Sequence, residues 1–414
     1  MTAVTREPRR QTTNPVDTLE VRLGQTTVGS LARLQGDATL FVFDPAYVQD
    51  HNRPTLSLGY KGRDGNLVES LRPTRTKLPP FFSNLLPEGH LRQYLAARGA
   101  VHPDREFLLL WLVGTDLPGA VVAAASDGAL PPPPEGEELI HSEGEPPLRF
   151  SLAGVQLKFS AVMETSGGLT LPVGGVGGDW IAKLPSSRFN AVPETEYAMM
   201  TLAAAVGIHV PEVRLVATAD IGNLPTGLPE GFGQALAVRR FDRTEGGERI
   251  HIEDFAQVFN LYADDKYAKA SYGNIAEVLW AETGEAGASE FVRRLVFNAL
   301  IGNGDAHLKN WSLIYPDRRT PALAPAYDLI GTVAYLPNQH LALSLGGTKD
   351  FGKVDRERFR SFAERAGLPT RAVLKVARET AQAVRDLWPQ HEPVRMLPDN
   401  IREAIESHMK TIRF

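Results

Sequence analysis

The chain has 414 residues, 43% of them hydrophobic and 22% charged, which is ordinary for a globular protein of two or three domains. A net charge of −5 and a pI near 6.1 argue against a globally basic nucleic-acid binder, while leaving room for a local basic patch. With no cysteine, disulfides and thiolate chemistry are excluded, and any metal must be held by oxygen or imidazole.

The opening stretch, "MTAVTREPRRQTTNPVD", is polar and lacks an apolar core, so no secretory signal is expected, and residues 1–16 read as a disordered tail. No apolar run reaches membrane-spanning length, so a cytoplasmic chain with no membrane partner is expected. Residues 17–130 form a first unit. In it "TLEVRLG", "TVGSL", "ATLFVFD" and "TLSLGY" read as strands between turn residues. A helix is predicted from Pro87 to Gly99, then a buried helix in "DREFLLLWLVG" and a strand in "GAVVAAAS". Residues 131–148 are rich in Pro and Glu and read as a linker. A second β-rich block spans 149–245, with "RFSLAGVQLKFSAVME" as strand–loop–strand and "WIAKLP" as a short strand. The helix "PETEYAMMTLAAAVG" follows, with Pro193 at its start and Gly207 at its end, and then the strands "VPEVRLVAT" and "QALAVRRFDR". From "IEDFAQVFN" on, residues 246–414 are mostly helical, broken around 302–348 by loops and short strands. A small β-rich lobe followed by a helical lobe suits a ligand held in the cleft between them.

Four stretches carry chemistry. In "GNGDAHLKN", Asp305 and Asn310 have the D-x-x-x-x-N spacing of a protein-kinase catalytic loop, where a carboxylate serves as base and an amide oxygen as metal ligand. The same stretch also reads as a helix C-cap (Gly302, Asn303, Gly304) followed by an Asx-turn at Asp305. Asp328 in "PAYDLIG" follows at the distance at which kinases keep a metal-binding Asp, and Mg²⁺ needs only one or two such oxygen ligands besides phosphates. Lys183 ends a buried strand and needs an anion: nucleotide phosphates and a helix glutamate, Glu196 before Glu194, or else solvent at a sheet edge. "SLAGVQLK" is a small-residue loop of the type that covers phosphates, although it has a single glycine and not the G-x-G-x-x-G pattern.

These pieces fall in kinase order, and the longer motifs around them sharpen the reading. "LPPFFSNLLPEGHLR", "FLLLWLVGTDLPGAV", "SLAGVQLK", "KLP", "VRRFDR", "IEDFAQ", "NGDAHLKN", "YDL" and "LALSLGG" resemble the HipA family of serine/threonine kinases, toxins of bacterial toxin–antitoxin pairs, over most of the chain. The resemblance implies an α+β, bilobal protein-kinase-like fold. It would have an extra N-terminal subdomain, a β-rich N-terminal lobe and a mostly helical C-terminal lobe. It implies ATP and Mg²⁺ as cofactors, Asp305 as catalytic base, Asn310 and Asp328 as metal ligands, and Lys183 on ATP phosphates with Glu196 as its ion-pair partner. Ala153, Gly154, Val155, Gln156, Leu157 and Lys158 would form the phosphate loop, and Arg239, Arg240 and Phe241 the hinge near adenine. Lys309 is placed with the ATP-binding residues. His307 would shape the loop or touch phosphates, or be an ordinary hydrogen-bonded loop histidine. Ser151 matches an autophosphorylated serine; phosphate there adds about −1.5 to −2 charge to a loop that must approach ATP, switching the enzyme off, although it also reads as a strand-end hydroxyl. The absence of a His–Arg pair before Asp305, and "YDL" in place of D-F-G, fit HipA and not a eukaryotic kinase.

Implied partners are a HipB-like helix-turn-helix antitoxin, operator DNA mainly through it, and a translation component as substrate, an aminoacyl-tRNA synthetase such as glutamyl-tRNA synthetase. A second reading is a binding module, a co-repressor acting with the antitoxin. A third, weaker one is a two-metal phosphoesterase on Asp305, His307 and Asp328, which lacks further ligands nearby.

Overall fold

The structure, a computed structural model, describes residues 16–62, 64–99, 101–129, 158–164, 167–171, 177–186, 188–224 and 233–414. Ser151, Ala153 to Leu157 of the expected phosphate loop and the expected linker lie outside the described residues.

The first unit begins with β1 (Thr18–Leu23), β2 (Thr26–Arg33) and β3 (Thr39–Phe43). Short helices α1 (Pro45–Gln49) and α2 (Pro80–Ser83), then α3 (Gly89–Arg98) and α4 (Glu106–Val113), precede β4 (Val121–Ala125). The strands make an antiparallel sheet in the order β3-β2-β1-β4. β1 shows why: Leu19, Val21 and Leu23 alternate with Glu20 and Arg22, so one face is buried and the other polar. Val16, assigned to the tail from sequence, is buried in this core.

"TLSLGY" is not a strand. Leu58–Tyr60 form a 3-10 turn capped by Ser57. Leu58 N, which in a strand would serve the ladder, donates instead to the Glu253 carboxylate at 2.9 Å, and the Ser57 hydroxyl joins it at 2.5 Å. Gly59 meets the C-terminal part of the chain so closely that a Cβ would lie 2.8 Å from the Gln257 carbonyl.

The second sheet holds β5 (Lys158–Met163), β6 (Leu169–Thr170), β7 (Trp180–Lys183), β8 (Val213–Ala217), β9 (Ile221–Gly222) and β10 (Gln234–Arg239), in the order β8-β10-β7-β5-β6-β9. Helix α5 (Val192–Ala205) follows β7, with Pro193 in its first turn, where the missing N–H costs nothing. Its buried residues Met199, Leu202 and Ala203 belong to the core of the helical lobe, so α5 joins the two lobes.

The third part opens with β11 (His251–Asp254), which pairs with β12 (Ser312–Tyr315), itself paired with β13 (Ala322–Leu323). The helical reading of "IED" is thereby corrected: Ile252 to Asp254 lie in β11, and only from Phe255 does a short helix, α6 (Phe255–Val258), begin. Helix α7 (Tyr272–Ile301) starts on a Ser271–Asn274 capping box and is interrupted at Gly284, whose φ of 67° no helix contains. Phe291, Leu295, Phe297 and Leu300 of α7 are fully buried. Truncating one of these phenylalanines would cost about 3–5 kcal/mol. Helices α8 (Arg356–Arg365), α9 (Thr370–Leu387), α10 (Glu392–Arg395) and α11 (Asp399–Met409) complete the lobe. Among the described residues no helix is long and apolar enough to cross a membrane.

Candidate active site

The site lies where α7 ends. Gly302 closes the helix in the left-handed conformation, φ 69°, and a Cβ there would fall 2.4 Å from the Val333 side chain. The cap expected from sequence therefore exists, and it delivers the catalytic-loop residues in a fixed path. Asn303, 1% exposed, ties that path together. Its Nδ2 donates to Asn298 Oδ1 at 2.8 Å and to the Asp328 carbonyl at 3.2 Å, while its Oδ1 accepts from Asp305 N at 3.0 Å. Gly304 N donates to Thr332 Oγ1 at 2.7 Å. A side chain on Gly304 would run into Gln339 and the His340 carbonyl.

Asp305 stands half exposed at the end of this path. Its Oδ1 accepts the Tyr267 hydroxyl and lies 3.9 Å from His307 Nε2. Asn310 Nδ2 donates to the Asp305 carbonyl at 2.8 Å. That use of the nitrogen leaves the Asn310 side-chain oxygen as the atom available to a cation. The D-x-x-x-x-N spacing thus has a structural meaning: one turn of 3-10 helix, Leu308–Asn310, brings the amide back to the Asp305 carbonyl.

Opposite it, β7 and α5 present a buried ion cluster. Lys183, 4% exposed, contacts both Glu196, 3% exposed, and Asp328. Lys158, the first residue of β5, adds bonds of 3.0 and 3.2 Å to the two Asp328 oxygens. Two cations and two anions balance. Burial alone would lower the Lys183 pKa, but the Asp328 and Glu196 carboxylates outweigh it and hold the ammonium above its ordinary value. Burial would raise Asp328, yet Lys158 and Lys183 together hold it well below the usual carboxylate range. Burial pushes Glu196 upward, Lys183 pulls against it, and the Asp328 charge adds to the rise. Asp328 also has a positive φ of 54°, a conformation costing about 1–3 kcal/mol outside glycine. The Asn303 bond to its carbonyl helps hold it there.

Several expected residues are placed differently. Arg240 does not offer its side chain to a nucleotide: it is 7% exposed, bonds Asp242 at 2.9 and 2.8 Å, and lies 3.8 Å from Asp116 of the first unit. A buried guanidinium needs such carboxylates, and they hold it away from the cleft. Lys309 is likewise turned away, toward the Asn84 carbonyl and Oδ1 at 2.9 and 3.2 Å and Glu88 at 3.1 Å. Arg239 ends β10 and lies 3.7 Å from both Glu212 and Glu245. Phe241 packs on Tyr327, with ring centroids 5.7 Å apart. His307 is buried, edge-on to Tyr267 at 4.9 Å, and burial lowers its pKa to about 4, so its ring is neutral near pH 7. Among the described residues its Nδ1 has no hydrogen-bond partner.

Sequence reading missed Tyr267, which no spacing links to Asp305, the hub role of Asn303, and the reach of Lys158 to Asp328. The third stretch could have been found only by asking which cation balances a second buried carboxylate.

A β-rich lobe with a buried Lys–Glu pair, set over a helical lobe whose loop carries Asp305 and Asn310, defines a bilobal α+β protein-kinase-like fold with an added N-terminal subdomain. Residues 150–388 match the family model described as the HipA-like C-terminal domain, and residues 19–124 match that of the HipA N-terminal domain. The Sinorhizobium fredii protein named "Putative kinase Y4dM" is 49% identical over 400 residues, covering 96% of this chain and 97% of the relative. The serine/threonine-protein kinase toxin HipA of Shewanella oneidensis is 26% identical, covering 95% and 94%. A solved complex of Shewanella oneidensis HipA, HipB and operator DNA matches in fold, with a TM-score of 0.72 and 24% identity over 95% of this chain and 97% of that one. The chain belongs to the HipA-like kinase family.

Proposed function

We propose that the protein is an ATP- and Mg²⁺-dependent serine/threonine protein kinase, the toxin of a toxin–antitoxin pair. The observation that carries this is the Lys183–Glu196 pair meeting Asp328 beside a loop in which Asn310 braces Asp305. The donor set fits the cofactor: one carboxylate and one amide oxygen, completed by phosphates, suit a hard octahedral cation. Among the described residues no group of three or more His, Asp or Glu could hold a metal, which removes support from the two-metal phosphoesterase reading.

In this reading Asp305 accepts the proton of the attacking serine hydroxyl. Tyr267 and Asn303 orient the base from its side chain and its backbone. Asn310 and Asp328 would hold Mg²⁺, and the Lys183 ammonium, braced by Glu196, would contact phosphate. Mg²⁺-bound ATP supplies the phosphoryl group and the charge neutralisation. The substrate is a translation component, an aminoacyl-tRNA synthetase such as glutamyl-tRNA synthetase. A helix-turn-helix antitoxin is the partner, in line with the HipA–HipB–operator complex, and the net charge of −5 places DNA contact mainly on that partner. Phosphate on Ser151 would be the off-switch.

Purified protein with labelled ATP and Mg²⁺ should label itself, and Asp305→Asn should abolish labelling. Equal labelling by that variant would refute the assignment of the base. Mass spectrometry should find phosphate on Ser151; phosphate only elsewhere would refute the switch.

A further inference from the structure

We propose that Glu88, seconded by Asn84, is a positioning residue for the catalytic loop, supplied by the N-terminal subdomain. The inference deepens the kinase reading and rests on it for its catalytic consequence. Glu88 occupies the N-cap position of α3 but makes no capping bond. Its carboxylate leaves its own subdomain and takes one lysine on each oxygen: Lys266 on Oε2 at 2.8 Å and Lys309 on Oε1 at 3.1 Å. Each lysine immediately precedes a residue that holds Asp305. Lys266 precedes Tyr267, whose hydroxyl donates to the Asp305 carboxylate. Lys309 precedes Asn310, whose amide donates to the Asp305 carbonyl. The Lys266 carbonyl also accepts from Leu308 N at 3.3 Å, so the two segments are joined behind the base.

Asn84 works on the same lysine. Its carbonyl and Oδ1 accept from Lys309, and its Nδ2 donates to the Leu261 carbonyl at 2.7 Å. Without Glu88, Lys309 keeps Asn84 and a carboxylate oxygen of Asp254 at 3.7 Å, while Lys266 loses the carboxylate to which it is hydrogen-bonded. The two lysines hold Glu88 ionised, with a pKa of about 2, although it is partly withdrawn from solvent. The clamp therefore stays charged at neutral pH, and one carboxylate sets the spacing between the two arms that grip Asp305. The catalytic site is complete only with the N-terminal subdomain docked.

A control lies in the same interface. Lys77 pairs with Asp264 at 2.6 Å, joins the same two units, and has no contact with the loop. The full-length chain and its Glu88→Gln, Asn84→Ala and Lys77→Ala variants are compared by hydrogen–deuterium exchange and by ATP-dependent autophosphorylation. Glu88→Gln should speed exchange in peptides 262–270 and 303–311 about fivefold or more, sparing the sheet at 18–43. It should lower kcat about ten- to hundredfold with KM for ATP within about twofold. Asn84→Ala should loosen 303–311, and Lys77→Ala, whose partner Asp264 lies within 262–270, should leave 303–311 and autophosphorylation unchanged. Unchanged exchange in Glu88→Gln, or equal loosening of 303–311 by Lys77→Ala, would overturn the clamp. If the wild-type chain transfers no phosphate, the kinase reading fails, and the exchange comparison still decides whether the clamp exists.

Discussion

Two buried carboxylate centres in this molecule have opposite fates. At the candidate site Glu196 and Asp328 are met by Lys183 and Lys158, and the two lysines hold the Asp328 carboxyl well below the usual carboxylate range. At the seam between the N-terminal subdomain and β11, Glu253 is fully buried and, among the described residues, accepts from neutral donors alone: the Ser57 and Tyr315 hydroxyls and Leu58 N. Burial lifts its carboxyl to about 7. His251 beside it donates to the Leu56 carbonyl and is held neutral by burial, with a pKa of about 4. Glu196 and Glu253 are buried to similar depth. What differs is the counter-charge. Where lysines converge, Asp328 is held toward its charged form; where only hydroxyls and a backbone N–H converge, Glu253 is pushed toward its neutral acid.

The strongest way to break this contrast is to remove the counter-charge. Lys183→Met should cost about 3–5 kcal/mol in urea denaturation, because it strands Glu196, and should lower phosphoryl transfer at least about a hundredfold. A loss below about 1 kcal/mol would mean that the cluster is not held as described.

The seam gives a pH test. A carboxyl raised to about 7 in the fold, against an ordinary value of 4.5, contributes stability that is fully present below 4.5 and is lost as pH rises through 7. The loss amounts to about 3 kcal/mol. Glu253→Gln should remove that slope, so the variant gains on the wild type between pH 5 and 8 in thermal melts. Identical slopes would show Glu253 to be ionised in the fold. The smallest effect is expected at Lys158, whose side chain is 42% exposed: Lys158→Met should cost no more than about 1 kcal/mol, since Lys183 still covers Asp328. A larger loss would make Lys158, and not Lys183, the main partner of Asp328.

Much of the site could be read from the chain. The identity and order of Lys183, Glu196, Asp305, Asn310 and Asp328 followed from spacing and from the elements around them, and the structure brings Lys183 to Glu196 and Asn310 under Asp305. The side-chain partners of Arg240 and Lys309 could not be read from the chain, because a short motif names a residue type and not its rotamer. Both cations found carboxylates contributed wholly or in part by the N-terminal subdomain: Asp116 for Arg240 and Glu88 for Lys309. "TLSLGY" failed for a related reason: its composition is that of a strand, but its donors are claimed by Glu253, remote in sequence.

By itself, then, the sequence determined local matters: the alternation that makes β1, the glycine that ends α7, the caps of its helices, and the residues that carry chemistry. These depend on neighbours within one or two turns, where periodicity and φ preference act. Only the tertiary structure decided which lysine covers which carboxylate, which carboxyl is pushed toward its neutral form, and which subdomain brings Glu88 to Lys266 and Lys309. Lys158 and Lys183 reach Asp328 across 170 and 145 residues of chain, and the charge state of each partner depends on a burial that exists only once those distances are closed.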